Sequence, residues 1–276
     1  MHTFRDRTVA ITGAASGIGR ALATDLARRG AHLALSDVDE AGLAETAGAC
    51  EGRGTKVTTA VVDVADRAAV EAWAEAAVAD HGTVNVVVNN AGVALGSPIT
   101  TMSYEDLEWL MGINFWGVVH GTKAFLPHLE ASGEGHVVNI SSVFGLLSIP
   151  SQSAYNAAKF GVRGFTDALR MELEIAGSCV SATTVHPGGI RTNIVRNARV
   201  DPALAEQAGD ADTRAAQFER IARTTPEQAA THILKAVLRN RRRTLVGPDA
   251  KAFDLVSRLP AGISQRVMIA GAKRRM

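Results

Sequence analysis

A glycine-rich segment near the start of the chain constrains the fold more than any other feature. Residues 12–19 read Thr-Gly-Ala-Ala-Ser-Gly-Ile-Gly and directly follow a short apolar segment at residues 9–11. Beyond the first glycines, Ile18, Leu22 and Leu26 recur at the spacing of one helix face. The chain therefore begins with a strand, a tight turn and a helix, as in the first half of a βαβ unit.

The three glycines of this turn have separate physical roles. Gly13 permits a tight turn, Gly17 allows the backbone to approach a ligand, and Gly19 allows the helix to pack closely on the strand. The N–H groups and the partial positive charge of a helix N-terminus suit a phosphate. The turn therefore predicts a dinucleotide site that contains Gly13, Ser16, Gly17, Ile18 and Gly19.

Strand-like and helical segments alternate along the rest of the chain. Strands are predicted at residues 9–11, 32–36, 57–62, 84–88, 136–140, 180–185 and 244–246. Such alternation implies parallel pairing through right-handed crossovers. We therefore expect an α/β fold with a doubly wound, Rossmann-like parallel sheet of about seven strands in one domain, residues 1–249. An irregular insert at about 190–224 is expected to form a substrate lid, and residues 250–276 a tail packed on that lid or on a partner subunit.

Polar residues mark the places where several helices are expected to begin. Asp66 is expected to cap a helix that ends near His81, and Ser103 to begin a long helical region interrupted near Pro127. The Thr-Pro-Glu-Gln sequence from Thr225 is a further helix start. A long helix from about residue 155 to 175 is expected to bury Phe160, Phe165 and Leu169.

Charge and cysteine content narrow the classes of function. The net charge of +1 gives no overall field that would recruit nucleic acid. Cys50 and Cys179 have neither disulfide nor metal spacing, which favours a reducing compartment and no metal site. Without an apolar signal segment or a membrane span, the expected location is the cytoplasm. The basic runs at residues 239–243 and 273–275 are interpreted as a solvated helix end and a tail, with phosphate or membrane contact as the alternative.

Asp37, at the end of the second predicted strand, bears on the choice of dinucleotide. A carboxylate there accepts hydrogen bonds from the adenosine ribose and repels a 2′-phosphate. Neither Val38 nor Ser16 offers a cation to such a phosphate. NAD is therefore expected, with NADP less favoured. The alternative for Asp37 is a cap for the following helix.

Several short motifs stand in the order typical of one family. They are residues 12–19, Asp63-Val64, Asn89-Asn90-Ala91-Gly92, Asn114, Ser142, Tyr155-Asn-Ala-Ala-Lys159 and Pro187-Gly-Gly-Ile-Arg-Thr192. With them the chain resembles the short-chain dehydrogenase/reductases, from about residue 8 to 192 and on towards residue 246. The resemblance implies an oxidoreductase that moves a hydride between a nicotinamide cofactor and a small-molecule alcohol or ketone.

Tyr155 and Lys159 also predict proton-transfer chemistry independently of the resemblance. One turn of the predicted helix separates them, so they share a face. A free tyrosine has a pKa of about 10, and a nearby ammonium lowers that value. Ser142 follows the fifth strand at the ligand-binding edge of the sheet, where its hydroxyl would hold the substrate oxygen; its neighbour Ser141 is the rival for this role. The alternative for the pair is an amphipathic helix start with a solvated lysine.

The resemblance implies further roles around the cofactor. Lys159 would also hold the nicotinamide ribose, and Asn114 would anchor a water that extends the proton relay. Asp63 and Val64 would lie at the adenine. Asn89 would brace the central sheet, and His186 receives no role. The remaining cofactor contacts would come from Asn90, Ala91, Gly92, Pro187, Gly188, Ile190 and Thr192.

The substrate and the partners are predicted more coarsely. Residues 92–98, 143–149 and 194–195 are candidate pocket residues, and the apolar character of the middle segment favours a hydrophobic substrate. The resemblance implies a homotetramer or homodimer formed through the helices near Asn114 and Tyr155. The apolar, basic tail could instead contact a membrane surface, which is less favoured.

Two other functions compete with the dehydrogenase. A non-catalytic NAD-binding sensor or scaffold would be expected to have lost Ser142, Tyr155 or Lys159, and all three are present. An epimerase or dehydratase would be expected to have a different glycine spacing and a larger C-terminal substrate domain.

Overall fold

Seven parallel strands form one sheet in the computed structural model, which describes residues 1–52 and 54–273. They are β1 (Thr8–Thr12), β2 (His32–Asp37), β3 (Val57–Val61), β4 (Val86–Asn89), β6 (Gly135–Ile140), β7 (Val180–Pro187) and β9 (Arg243–Val246), and β5 (Leu95–Gly96) pairs with β8 (Arg199–Val200) outside this sheet. The strand order is β3-β2-β1-β4-β6-β7-β9. The order therefore reverses between β1 and β4, which is the switch point where doubly wound sheets bind ligands. The predicted fold class is confirmed.

Helices cover both faces of the sheet. They are α1 (Gly17–Arg28), α2 (Glu40–Cys50), α3 (Arg67–His81), α4 (Tyr104–Met111), α5 (Gly117–Ala131), α6 (Ser153–Ile175), α7 (Pro202–Ala208), α8 (Ala211–Ile221), α9 (Pro226–Leu238), α10 (Pro248–Ser257) and α11 (Ala261–Lys273). Alternate residues of β1 enter different cores: Val9 and Ile11 pack with α1 and α9, whereas Ala10 packs on the side of α3 and α5. Burial on both faces explains why the central strands β1 and β4 consist mainly of apolar residues.

Most helix starts follow the predicted capping residues. The Asp66 carboxylate accepts N–H groups of the first turn of α3, and the Ser103 hydroxyl accepts the Asp106 N–H in α4. Thr225 and Gln228 form a complete capping box at α9. Pro127, however, lies inside α5, so the predicted interruption there is wrong. The break lies earlier, in a π-helical turn, Gly112–Trp116, that contains Asn114.

Two other expectations also differ from the structure. Phe160 is 39% exposed, whereas Leu169 is buried and Phe165 half-buried. Phe160 and Leu169 are nine positions apart in α6, which places them on opposite sides of a helix with 3.6 residues per turn. The insert at 190–224 is not irregular, because it contains α7 and α8, each capped by an aspartate side chain.

The C-terminal tail is also helical as far as it is described. It forms α10 and α11, while residues 274–276, which include most of the second basic run, lie outside the described residues. No helix in the described ranges has the length and apolar character required to cross a bilayer. Within the same ranges, no cluster of three or more potential metal ligands occurs.

We predict that buried His136 makes the fold sensitive to acid. Its Nε2 lies 2.8 Å from the Thr183 hydroxyl, and burial lowers the pKa of its imidazole to about 3. Since the unfolded value is near 6.5, this group contributes stability above about pH 6.5 that is lost as the pH falls towards 3, at up to about 1.4 kcal/mol per pH unit. In His136→Gln the free energy of unfolding, measured by urea titration, should fall less steeply between about pH 6.5 and 4.5. The same change at exposed His2 should leave the slope intact, and equal slopes for wild type and His136→Gln would contradict the assignment.

Candidate active site

The candidate site lies at the carboxyl ends of the central strands. The glycine turn follows β1, residues 90–93 follow β4, Ser141 and Ser142 follow β6, and residues 188–192 follow β7. Helix α6 begins beside the end of β6 and brings Tyr155 and Lys159 to the same edge. The topology therefore gathers motifs that are far apart in the sequence.

The backbone of the glycine turn is packed so closely against its neighbours that it leaves no room for side chains at Gly13 and Gly19. Gly13 and Gly17 have φ values of 66° and 53°, which favour glycine. A Cβ added to Gly19 would lie only 2.0 Å from the Gly13 carbonyl oxygen. Ser16 is the N-cap of α1 but makes no side-chain capping bond, so its hydroxyl leaves the N–H groups of the first turn available. This cradle fits a pyrophosphate.

Asn90 holds the glycine turn against β4. Its side-chain amide donates to the carbonyl oxygens of Thr12 and Gly13 at 2.9 and 3.0 Å. In return, the Thr12 hydroxyl accepts the backbone N–H groups of Asn90 and Ala91, both at 3.0 Å. The segment after β4 thus braces the turn directly, in addition to lying beside the expected cofactor path.

Asp37 faces the glycine turn rather than the next helix. One carboxylate oxygen accepts the Ala15 N–H at 2.9 Å and the other accepts the Asp39 N–H at 3.1 Å. The cap of α2 is Asp39, so the capping alternative for Asp37 is wrong. The nearby Arg20 guanidinium is already engaged, by the Glu45 carboxylate at 3.0 Å and by the Ala15 carbonyl.

The two residues expected near the adenine lie just after β3. Asp63 is exposed and accepts the Ala65 N–H at 2.9 Å. Val64 is buried, and its carbonyl oxygen lies 3.1 Å from His120 Nδ1. The pair follows β3, which is separated from β1 by β2 in the sheet.

The Lys159 amine is buried and is held by a hydrogen bond to a backbone carbonyl oxygen. Only 3% of the residue is exposed, and its Nζ donates to the Ile140 carbonyl oxygen at 3.0 Å. Nζ also lies 5.5 Å from the centre of the Tyr155 ring. Burial lowers the pKa of the Lys159 amine to about 8, so near neutral pH it can gain or lose its charge.

The Tyr155 phenol is less acidic here than the sequence predicts. The residue is half-buried, and burial raises the pKa of its hydroxyl to about 12, against the opposing effect of a hydrogen bond with Ser142. The expected lowering by Lys159 is therefore wrong for the protein without a cofactor. Desolvation of the phenolate is the largest effect on this pKa, and the amine of Lys159, whose own pKa burial lowers to about 8, does not reverse it.

The two neighbouring serines have different partners. The Ser141 hydroxyl donates to the Lys159 carbonyl oxygen at 2.8 Å and so fastens α6 to the end of β6. The Ser142 hydroxyl accepts the Phe144 N–H at 3.2 Å and lies beside the Tyr155 phenol, whose pKa it acts to lower. The geometry therefore favours Ser142 over Ser141 as the residue that meets a substrate oxygen.

His186 lies beneath Ser142, a contact that the sequence did not indicate. Its Nδ1 is 2.8 Å from the Ser142 carbonyl oxygen, while its Nε2 is buried with no protein partner in the described ranges. Burial lowers the pKa of the imidazole to about 4, which keeps it neutral at physiological pH. A neutral ring can donate from Nδ1 and thereby support the Ser142 backbone.

Asn114 is fully buried within the π-helical turn. Its side-chain amide binds both the N–H and the carbonyl oxygen of Val93, each at 2.8 Å. A Cβ at Gly92 would lie 3.2 Å from Asn114 Oδ1 and 3.6 Å from Lys159 Nζ. The glycine after β4 thus allows the asparagine and the lysine to approach the same point.

The loop after β7 is tied down at successive residues. Pro187 ends the strand, and Gly188 donates to the Val246 carbonyl oxygen at 2.9 Å. Ile190 is buried. Thr192 packs against the glycine turn, since a Cβ at Gly17 would be 3.0 Å from its methyl group. These contacts hold the loop beside the glycine turn.

An aromatic wall extends from Tyr155. The Phe144 ring meets the Tyr155 ring edge to face at 6.0 Å, and the Phe253 ring of α10 meets Phe144 at 6.3 Å. Leu146 and Leu147 are buried nearby. Phe253 was missed by the sequence analysis because its contact depends on how α10 folds back over residues 143–145.

Known proteins resemble this chain in sequence and in fold. A model of the short chain dehydrogenase family matches residues 7–203. The SadH protein of Mycobacterium tuberculosis, which is named as an oxidoreductase, is 49% identical over 275 residues, covering 99% of this chain and 98% of that protein. Among solved structures, a short-chain dehydrogenase/reductase from Burkholderia phymatum in complex with NAD has a TM-score of 0.83 at 34% identity, covering 93% of this chain and 94% of that one. Levodione reductase has a TM-score of 0.79 at 31% identity, covering 90% and 99%.

The sheet and its cleft define a dinucleotide-dependent oxidoreductase of the doubly wound class. The chain belongs to the short-chain dehydrogenase/reductase family and uses a nicotinamide cofactor. The family assignment made from the sequence motifs is confirmed.

We predict that Gly19→Ala destabilises the protein and impairs dinucleotide binding. The new methyl group would collide with the Gly13 carbonyl oxygen and approach the Asn90 amide to 2.8 Å. The free energy of unfolding should fall by about 1–3 kcal/mol in chemical denaturation. Gly48→Ala in α2 is the matched control, because a Cβ there meets nothing within 4 Å, and it should raise stability by up to about 1 kcal/mol. Equal effects of the two substitutions would contradict the described turn.

Proposed function

We propose that this protein is an NAD-dependent dehydrogenase/reductase that interconverts a hydrophobic secondary alcohol and the corresponding ketone. The main observation behind this proposal is that Ser142, Tyr155 and Lys159 converge at the carboxyl end of β6. The Ser142 hydroxyl lies beside the phenol, and the Lys159 amine lies 5.5 Å from the centre of the same ring. A hydroxyl, a phenol and an amine in this order are suited to hold a substrate oxygen and move its proton.

The residues of the cleft fit a nicotinamide dinucleotide along its whole length. The crowded glycine turn and the open N-terminus of α1 would receive the pyrophosphate, through Gly13, Ser16, Gly17, Ile18 and Gly19. Asp37 would bind the adenosine ribose, and Asp63 and Val64 would flank the adenine. The nicotinamide half would lie among Asn90, Ala91, Gly92, Tyr155, Lys159, Pro187, Gly188, Ile190 and Thr192. Bound NAD supplies the acceptor for the hydride.

Oxidation of the alcohol requires the transfer of one hydride and one proton, and the proton would pass through Tyr155. In the oxidative direction the substrate carbon loses a hydride, its hydroxyl oxygen loses a proton, and a carbonyl double bond forms. Ser142 would orient the substrate oxygen, and Tyr155 Oη would accept the proton. Reduction of the ketone reverses these steps, with the Tyr155 phenol as the acid.

Lys159 would make Tyr155 competent to accept that proton. When the amine is protonated, its charge favours the phenolate, against the desolvation that raises the pKa to about 12. Further hydrogen-bond acceptors around Nζ, such as a ribose hydroxyl, would favour the charged amine. The Asn114 and Lys159 side chains both lie close to Gly92. Asn114 would there anchor a water molecule that carries the proton onward from Lys159.

NAD rather than NADP is supported by the surroundings of Asp37. Its carboxylate is aimed at the glycine turn by the Ala15 N–H, where a 2′-phosphate would meet negative charge. Arg20, the nearby cation, is neutralised by Glu45. Val38 is 65% exposed and offers no charge.

An apolar substrate is supported by the wall beside Tyr155. Phe144 and Phe253 continue the aromatic surface away from the phenol, and Val143 and Leu147 are buried behind it. Ile194 and Val195 are half-buried in the insert 190–224, which we assign as the substrate lid. Such a surface would bind alkyl or ring groups attached to the reacting carbon.

Self-association and location follow as parts of the same proposal. Trp116 is 51% exposed and Phe160 39%, on the helices near Asn114 and Tyr155, which suits a homodimer or homotetramer interface. The tail from residue 250 packs through Phe253 on the substrate side of the cleft. This contact favours the tail as part of the catalytic unit over a membrane-binding role, and we propose a cytoplasmic enzyme.

We predict that Tyr155→Phe abolishes turnover but preserves NAD binding. Removing the hydroxyl removes the proton acceptor, so kcat should fall by at least about a hundredfold, while the Kd for NAD measured by calorimetry stays within about twofold. The chain contains one other tyrosine, Tyr104, which is 82% exposed, and Tyr104→Phe is the matched control. Near-normal turnover in Tyr155→Phe would refute the proposed chemistry. Wild-type protein that binds NAD but turns over none of a broad set of alcohols and ketones would favour the non-catalytic sensor.

We also predict that Asp37→Ala shifts the choice of cofactor. Loss of a charge-assisted hydrogen bond to the ribose should weaken NAD about tenfold, and loss of repulsion should strengthen NADP. Asp39→Ser removes a charge two residues away while keeping a helix cap, so it should change neither affinity by more than about twofold. A wild-type preference for NADP, measured as the ratio of the two Kd values, would overturn the role of Asp37.

A further inference from the structure

The first turn of α10 supplies a carboxylate to the loop after β7. Asp249 is the second residue of this helix, and its Oδ2 accepts the Gly189 N–H at 2.6 Å. Asp249 lies 60 residues from Gly189 in the chain, and neither the sequence motifs nor the proposed chemistry uses it. The contact joins the first turn of α10 to the loop that would hold the nicotinamide.

The backbone around the carboxylate is shaped to admit it. A Cβ at Gly188 would lie 2.2 Å from Asp249 Oδ2, and a Cβ at Gly247 would lie 2.6 Å from Oδ1. Gly247 also has a φ of 102°, which disfavours any other residue. The two glycines therefore leave a space that the carboxylate fills, and a side chain at either position would displace it.

Asp249 completes the anchoring of this loop. The Gly188 N–H is bound by the Val246 carbonyl oxygen at 2.9 Å, and the Arg191 N–H by the Thr224 carbonyl oxygen at 3.0 Å. Of the two N–H groups between these backbone anchors, that of Gly189 is held by the Asp249 side chain. Removing the side chain would thus free the middle of a segment that is fixed at both ends.

The charge of Asp249 suits its position. The residue stands in the first turn of α10, where the helix dipole favours an anion. One oxygen is used by Gly189, and the other is buried with no hydrogen-bond partner in the described ranges. A hydrogen bond to a charged acceptor is stronger than one to a neutral acceptor, so this contact holds the loop more firmly than a backbone carbonyl would.

We propose that Asp249 is a positioning residue for the nicotinamide half of the cofactor. By fixing the Gly189 N–H, it holds residues 188–192 in the shape that receives the carboxamide, and it makes α10 part of the cofactor site. The same helix reaches the substrate side through Phe253, whose ring meets Phe144. The inference rests on the proposed use of a nicotinamide dinucleotide in this cleft.

The test compares two ligands that differ in the nicotinamide. The Kd values of NAD and of ADP-ribose, which lacks that ring, are measured by calorimetry for wild type, Asp249→Ala and Asp249→Asn. In Asp249→Ala the affinity for NAD should fall about tenfold, as expected for about 1.4 kcal/mol, while that for ADP-ribose stays within about twofold. Asp249→Asn keeps an acceptor oxygen and should recover most of the NAD affinity. Lys251→Ala, at an exposed site on the same helix, is the control and should change neither value.

The possible outcomes separate this inference from the proposed function. Equal weakening of both ligands in Asp249→Ala, or no weakening of either, would overturn the role of Asp249. Neither result would contradict the proposal that the wild-type protein binds NAD. Wild-type protein that binds neither ligand would overturn the proposed function and the inference with it. If Asp249→Ala does not fold, the Asp249→Asn variant provides the test. Hydrogen exchange of the Gly189 amide should remain slow in this variant, and exchange as fast as in an unprotected loop would contradict the proposal that the side chain at position 249 holds this N–H.

Discussion

The contact between Lys159 and the end of β6 is the interaction on which the site depends. An amine buried to this degree requires acceptors, and the Ile140 carbonyl provides one at 3.0 Å. The Ser141 hydroxyl also donates to the Lys159 carbonyl oxygen, so two hydrogen bonds fasten the first turns of α6 beside the end of the strand. Tyr155, one turn earlier, is thereby fixed next to Ser142.

Side-chain to backbone hydrogen bonds hold the loops around this centre. Parallel strands end at the cleft, so the segments beyond them cannot be fixed by the sheet itself. Asn90 binds the glycine turn, Asn114 binds Val93, and Asp249 binds Gly189. Each polar group is placed where a glycine or a π-helical turn lets it approach. The side chains of two asparagines and one aspartate therefore fix the backbone of these loops.

Much of the fold could be predicted because its determinants are local. Apolar segments gave the strands, and capping residues such as Asp66 and Thr225 gave the helix starts. The short motifs were sufficient to identify the family, since each lies at the end of a strand or on α6. Their positions in one cleft followed from the parallel topology.

The features that escaped prediction depend on distant contacts. The π-helical turn at Asn114 is stabilised by Val93, which no helical periodicity reveals. Asp249 and Phe253 reach the cleft only because α10 folds back on it. Burial also reversed the expected shift in the pKa of Tyr155, since desolvation is a property of the folded surroundings.

The most direct measurement is the ionisation of Tyr155 with and without NAD. The chain has two tyrosines, so in Tyr104→Phe the ultraviolet difference spectrum reports Tyr155 alone. Without cofactor the phenol should ionise well above the ordinary value of about 10, because burial raises its pKa to about 12. With NAD bound, the midpoint should fall below about 10 as Lys159 becomes fully charged beside the ring. A midpoint that NAD leaves unchanged would contradict the account of Tyr155 as the proton-transfer residue.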